Sequence, residues 1–291
     1  MASIYVFPGQ GAQNVGMGYD LYKNNADARE VFDAVDSALG EKLSDIIFNG
    51  PMETLTLTAN VQPAIMATSI AMLRAAKLPM PDYVAGHSLG EYTALCAAGA
   101  ISITDTAKIL RIRGNAMQSA VPVGMGITAV VLGLDIDTVK HICAQFDADV
   151  ANDNCPGQVV ISGLKEKIEP AMAALKDAGA RRVMPLALSV PVHCRAQESA
   201  ANAVKQALES IEIKKPIVPI ISNKTTQPIT NPDEIRDALV YQMTHGVRWR
   251  ESVLNMVDLG IDNLTEIGPG NVLSGLVSRT TDKITINKLE I

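Results

Sequence analysis

The sequence predicts an α/β fold: a parallel sheet covered on both faces by helices, with a small ferredoxin-like domain inserted into it. Three observations predict this. Short apolar runs closed by Gly or Pro alternate with stretches of helical spacing, one such run ends in G-x-S-x-G at Gly86, Ser88 and Gly90, and the middle of the chain breaks into six short segments ordered β-α-β-β-α-β.

Taken in order, SIYVFPG (3–9) is a short apolar run stopped by Pro8 and Gly9, as a buried strand is, and NADAREVFDAVDSALG (25–40) has helical spacing. A further helix is expected to follow Pro63 through AIMATSIAMLRAAKL. DYVAGHS then reads as strand into turn, and GEYTALCAAGA as the helix after it. Strands that alternate with helices imply a parallel sheet buried on both faces. From Gly126 the segments shorten to ITAVVLG, DIDTVKHICAQF, ADVAND, QVVISG, LKEKIEPAMAALKDAG and ARRVMPLAL. Their order is that of a ferredoxin-like unit. The expected division is therefore a larger discontinuous domain, 1–122 and 191–291, around an inserted domain, 123–190. The α/β pattern resumes with a helix through ESAANAVKQALES, a strand at IVPIIS, a helix from Pro232 to His245, a strand at NLTEIG and a helix after the GPG turn. A cleft is expected where the two domains meet, since ligands bind at such junctions.

With 291 residues, 47% of them hydrophobic and 19% charged, the chain can bury a large core. A net charge of −6 argues against nucleic acid as the main partner. Arg181, Arg182, Arg195, Lys205, Lys214 and Lys215 form at most a local basic gathering. The start, MASIYVFPGQGAQ, has no basic leader, and no apolar run approaches the roughly 18 residues of a membrane helix, so neither export nor a membrane is expected. Cys96, Cys143, Cys155 and Cys194 lack C-x-x-C spacing, which argues against zinc and against a disulfide framework, and a reducing cytoplasm fits. No metal or cofactor is expected.

The G-x-S-x-G at Ser88 follows an apolar strand and precedes a helix-forming run, the context of a turn that holds a serine hydroxyl at the top of a parallel sheet. A serine hydroxyl becomes a useful nucleophile only when a base takes its proton. The chain has four histidines. His87 adjoins the serine and is expected to pack or bond below the turn. His141 sits mid-helix, and His245 ends a helix, where it can satisfy terminal carbonyls. His193, in SVPVHC at the domain junction, is the best placed base, with His245 the alternative. No acidic residue stands near either in triad order. The backbone N–H of Leu89, after the nucleophile, is one oxyanion donor by construction; a second is expected from the loop FPGQGAQ, where Gln10 can point into the same space. That loop is not a phosphate loop, for it lacks the terminal Gly-Lys-Ser/Thr. Arg113, in the helical stretch ILRIRGNAMQ, reads by itself as a solvent-facing arginine.

Read together, FPGQGAQ, QPA, GHSLGEYTAL, RGNAMQ, NCPGQVVISG, SVPVHC, VPIISN, RDAL, VRW and EIGPGNVLSGL resemble, in order and over nearly the whole chain, the malonyl-CoA:acyl carrier protein transacylase family. The resemblance implies an α/β hydrolase-like core with a ferredoxin-like insert. It also implies that Ser88 is acylated, that His193 is the base, and that Gln10 joins the Leu89 amide as oxyanion donor. Gln242 is matched to a residue whose main-chain carbonyl orients the histidine, and Arg113 to an arginine that grips the malonyl carboxylate. The implied partners are malonyl-CoA and the phosphopantetheine thiol of holo-acyl carrier protein, in a ping-pong exchange serving fatty acid biosynthesis. The sequence departs from the family pattern at Val192, Arg195, Gln197 and His245-Gly246, and Arg195 is a candidate contact for a CoA or carrier-protein phosphate. Two rivals share parts of this pattern: a thioesterase or esterase, which would not need Arg113, and a carrier-protein-binding scaffold with a relic site.

Overall fold

A computed structural model describes residues 2–122 and 124–289. Met1, Glu290 and Ile291, at the ends of the expected larger domain, and Val123, the expected first residue of the insert, lie outside the described residues. The strands are β1 (Ala2–Phe7), β2 (Tyr83–Gly86), β3 (Gly126–Leu132), β4 (Asp149–Cys155), β5 (Gln158–Leu164), β6 (Arg182–Pro185), β7 (Ile220–Ile221), β8 (Pro228–Ile229), β9 (Ile261–Glu266) and β10 (Thr285–Asn287).

Six strands form one sheet in the order β10-β9-β1-β2-β7-β8. All its pairings are parallel except the last, where β8 folds back on β7. β1 shows why such a strand is apolar throughout: Tyr5 and Phe7 enter the core on one face, while Ile4 and Val6 enter the core on the other with Ala85 and Leu264. The remaining four strands form an antiparallel sheet in the order β4-β5-β3-β6, with β3 and β5 in the centre. Here the two-residue period divides the side chains differently. Ala129, Val131, Val159 and Ile161 pack into a core with residues of the helices Ile136–Gln145 and Lys165–Asp177, whereas Val130 and Val160 join the large core. The architecture is thus the α/β hydrolase-like core with a ferredoxin-like second sheet that the sequence predicts.

Two boundaries differ from the sequence expectation. The helix expected to follow Pro63 begins at Thr58 and carries the proline inside it. The Leu57 carbonyl already accepts from the Asn60 and Val61 amides, so a turn is wound before Pro63, which forfeits only its own ladder bond. Full burial of Val61, Ala64 and Ile65 offsets that loss. The helix from Pro232 stops at Tyr241 rather than His245, leaving Gln242 as its C-cap. Among the described residues no helix is long and apolar enough to cross a membrane.

Candidate active site

Ser88 sits between β2 and the helix Leu89–Ala97, with φ 57 and ψ −113. A non-glycine residue there carries strain of about 1–3 kcal/mol, which the surroundings must hold in place. Two glycines permit the turn: a Cβ on Gly86 would run into the Gly90 backbone, and one on Gly90 into the Phe7 carbonyl. Asn223, just after β7, supplies the clamp. Its Oδ1 accepts from the Ser88 N–H at 3.0 Å and its Nδ2 donates to the Gly86 carbonyl at 2.7 Å. At the first position of the helix, the Leu89 N–H has no intrahelical acceptor and points outward from the positive end of the helix dipole.

His193 also has a left-handed backbone, φ 51. Its loop is fastened on both sides. The Val192 N–H donates to Ser162 Oγ on β5 at 2.9 Å, and Gln197 Nε2 donates to the Pro191 carbonyl at 2.6 Å. So held, His193 Nε2 lies 2.7 Å from Ser88 Oγ, and Nδ1 lies 2.5 Å from the main-chain carbonyl of Gln242. A carbonyl only accepts, so Nδ1 carries the proton and Nε2 is left as the acceptor for the serine hydroxyl. The end of the helix at Tyr241 matters here, because the C-cap carbonyl of Gln242 is not spent on the helix ladder. Burial, together with the Arg113 charge, pushes the His193 pKa down to about 3, so the ring is a neutral base at ordinary pH.

Arg113 is no surface arginine: only 1% of it is exposed. The helix Ile103–Ala120 directs it inward, where Nη1 donates to Gln62 Oε1 at 2.6 Å and Nη2 donates to Ser88 Oγ at 3.1 Å and Gln242 Oε1 at 3.0 Å. Its guanidinium lies over the Tyr92 ring, 5.5 Å from the centroid, and its Nε has no hydrogen-bond partner among the described residues. A buried guanidinium held by neutral oxygens, beside a serine hydroxyl, is chemically suited to an incoming carboxylate. Gln10, after β1, lines a cavity with Ser88, and its amide nitrogen is buried without a hydrogen-bond partner among the described residues.

That cavity has a volume of about 570 Å³. Ser88, Leu89, His193, Arg113 and Gln10 line it from the larger sheet's side, and Thr128, Val130, Asn152 and Val160 of the second sheet form the facing wall. Among the described residues no group of three or more His, Cys, Asp or Glu side chains is placed to hold a metal.

The other histidines take structural places. His87 Nε2 bonds Asn154 Oδ1 on β4 at 3.0 Å, His141 is exposed, and His245 stacks on Tyr241 with its Nδ1 3.1 Å from the Tyr241 carbonyl. Arg195, a candidate phosphate contact in the sequence, is engaged otherwise: it pairs with Asp147 at 2.6 Å and Asp149 at 2.8 Å. Gly246 is required locally, since a Cβ there would strike the Val150 carbonyl of the second sheet. Sequence reasoning missed Asn223, Gln62 and the buried Glu91 as parts of the site. Glu91 lies within GHSLGE and Gln62 within QPA, but nothing local marks either as a partner of residues far along the chain.

A strained serine at the strand-helix turn, a neutral histidine against it and a buried arginine one hydrogen bond away share one cavity, an arrangement that fits an acyl transferase. Consistent with this, the family model described as acyl transferase domain matches residues 4–290. The malonyl CoA-acyl carrier protein transacylase of Bacillus subtilis (strain 168) is 42% identical over 287 residues, covering 96% of this chain and 90% of that protein. The acyl-carrier-protein-S-malonyltransferase of Bartonella henselae superposes with a TM-score of 0.97 at 47% identity, covering 99% of this chain and 95% of that one. A malonyl-transacylase solved in complex with a type II PKS acyl-carrier protein superposes with a TM-score of 0.95 at 38% identity, over 99% and 96% of the two chains. The chain belongs to the malonyl-CoA:acyl carrier protein transacylase family.

Proposed function

We propose that the protein performs the reaction its relatives are named for, moving a malonyl group from malonyl-CoA to the phosphopantetheine thiol of holo-acyl carrier protein, and that it does so through an ester on Ser88. The observation that carries this reading is Arg113. Its Nη2 stands 3.1 Å from Ser88 Oγ, so an acyl group on that oxygen with a free carboxylate at its far end meets a guanidinium inside the same cavity.

In the first half-reaction His193 Nε2 takes the Ser88 proton as Oγ bonds to the thioester carbon. The Leu89 N–H and the Gln10 amide receive the oxyanion, the C–S bond breaks, and His193 returns its proton to the CoA sulfur. In the second half His193 takes the proton of the carrier-protein thiol as its sulfur attacks the seryl ester; the bond from the acyl carbon to Oγ breaks, and His193 returns the proton to Ser88 Oγ. The Gln242 carbonyl keeps the histidine in the required tautomer throughout. The same reading assigns 1–122 and 191–291 to a catalytic domain and 123–190 to a discrete insert that roofs the cavity. It places the protein in a reducing cytoplasm, where its four free, buried cysteines are at home, and in the supply of fatty acid biosynthesis.

Initial rates with malonyl-CoA and acyl carrier protein varied together test the mechanism. Parallel double-reciprocal lines are expected, and intersecting lines would contradict an ester intermediate.

A further inference from the structure

Glu91 is a carboxyl group 1% exposed that takes no part in the chemistry above. It stands in the first turn of the helix that opens at Ser88. Oε1 accepts from the Asn223 N–H at 2.9 Å, and Oε2 accepts from Gln242 Nε2 at 2.6 Å. The same Gln242 amide presents its Oε1 to Arg113 Nη2 at 3.0 Å, and its Nε2 also reaches the Ser88 carbonyl at 3.3 Å.

The two ends of a glutamine amide are nearly equal in size and opposite in hydrogen-bonding character. Turned end for end, Gln242 would offer N–H groups to Arg113, which has donors only. Above about pH 7, the value to which burial raises Glu91, the nearer group at the nitrogen end is an ionised carboxylate that can only accept, and with the Ser88 carbonyl it forbids the turn. Asn223 fixes that carboxylate in turn, with the same side chain that clamps the serine turn. We propose that Glu91 is a positioning residue: through the Gln242 side chain it fixes the Arg113 guanidinium against the seryl oxygen, and thereby sets the site's preference for acyl groups that end in a carboxylate. The proposal rests on the malonyl-transfer reading and extends it by one residue.

The test compares wild type, Glu91→Gln and Glu91→Asp at about pH 8, where Glu91 is ionised, for kcat/KM with malonyl-CoA and with acetyl-CoA, acyl carrier protein being the acceptor. Glu91→Gln sets a second amide against the first, and its N–H turns one of them. Malonyl kcat/KM is expected to fall roughly tenfold, chiefly through KM, and acetyl kcat/KM by less than about threefold, the scale of one misdirected hydrogen bond to a charged group. A purely structural defect lowers both alike. An unchanged malonyl-to-acetyl ratio in folded Glu91→Gln overturns the proposal. If Glu91→Gln does not fold, Glu91→Asp, which keeps the carboxylate but withdraws it by one methylene, is expected to lower the ratio, and an unchanged ratio there overturns it equally. Wild type separates the two readings. If it transfers malonyl while the ratio stays fixed in the variants, Glu91 alone is refuted; if it transfers none, the proposed function falls and this inference with it.

Discussion

His193 and Gln242 meet through an imidazole nitrogen and a main-chain carbonyl, 2.5 Å apart, at the place where a hydrolase triad sets a carboxylate. A carbonyl dipole fixes the tautomer but lends the imidazolium less support than a full negative charge. Burial of the ring, and after it the nearby Arg113 charge, make protonation in the free protein costly, which is why its pKa falls to about 3.

This has a sign in stability. Between the ordinary histidine value of 6.5 and the folded value of about 3, the unfolded chain binds the proton and the folded chain does not. Stability from this group is therefore present above 6.5 and lost as pH falls toward 3. Glu91 acts in the opposite sense: burial raises it from 4.5 to about 7, so its contribution improves as pH falls through 7 toward 4.5. Urea unfolding of wild type and His193→Gln at pH 7.5 and 4.5 isolates the histidine. The variant is expected to gain on wild type at the lower pH, and an equal difference at both pH values would contradict the buried neutral base.

Removing the base should cost catalysis far more than folding. His193→Ala is expected to lower malonyl transfer about 10²–10⁴-fold, the usual worth of a positioned general base, with an unfolding midpoint near that of wild type. Steady-state rates and thermal unfolding check it.

Arg113→Ala is expected to lower malonyl kcat/KM by about 10–150-fold, the fold-change of losing a hydrogen-bonded charge partner, while raising tolerance for acetyl-CoA. Arg113→Lys should restore only part of the loss, since an ammonium cannot make two parallel bonds to a carboxylate as a guanidinium does. Competition between the two acyl-CoAs in one assay reads the selectivity directly.

The turn that carries Ser88 depends on an asparagine 135 residues further along the chain. Asn223→Ala strands the Ser88 N–H and the Gly86 carbonyl, and is expected to cost about 1–3 kcal/mol for each group left unpaired. Urea denaturation measures that loss, and the seryl acylation rate should fall with it.

Much of this was legible in the sequence because it rests on local patterns. Continuous apolar runs mark β1 and β2, the spacing of two glycines around Ser88 marks the turn, and a change in segment length marks the second sheet. The two-residue and three-residue strands β7, β8 and β10 carry too little pattern to delimit. Pro63 misplaces a helix start because a proline one turn in forfeits only a single bond. At the site, elimination among four histidines favours His193, whereas Arg113 and Gln242 enter only through resemblance to a family. A mid-helix arginine reads as exposed until packing shows otherwise, and a main-chain carbonyl has no sequence signature. Asn223, Gln62 and Glu91 are silent for the same reason: buried polar contacts between distant segments leave no periodicity.

The acyl-seryl state is the centre of the reading, and intact-protein mass measured after mixing with malonyl-CoA alone tests it most directly. A single malonyl adduct is expected on wild type, absent from Ser88→Ala and discharged when holo-acyl carrier protein is added. Wild type that gains no such mass, or a Ser88→Ala variant that gains it equally, would contradict it.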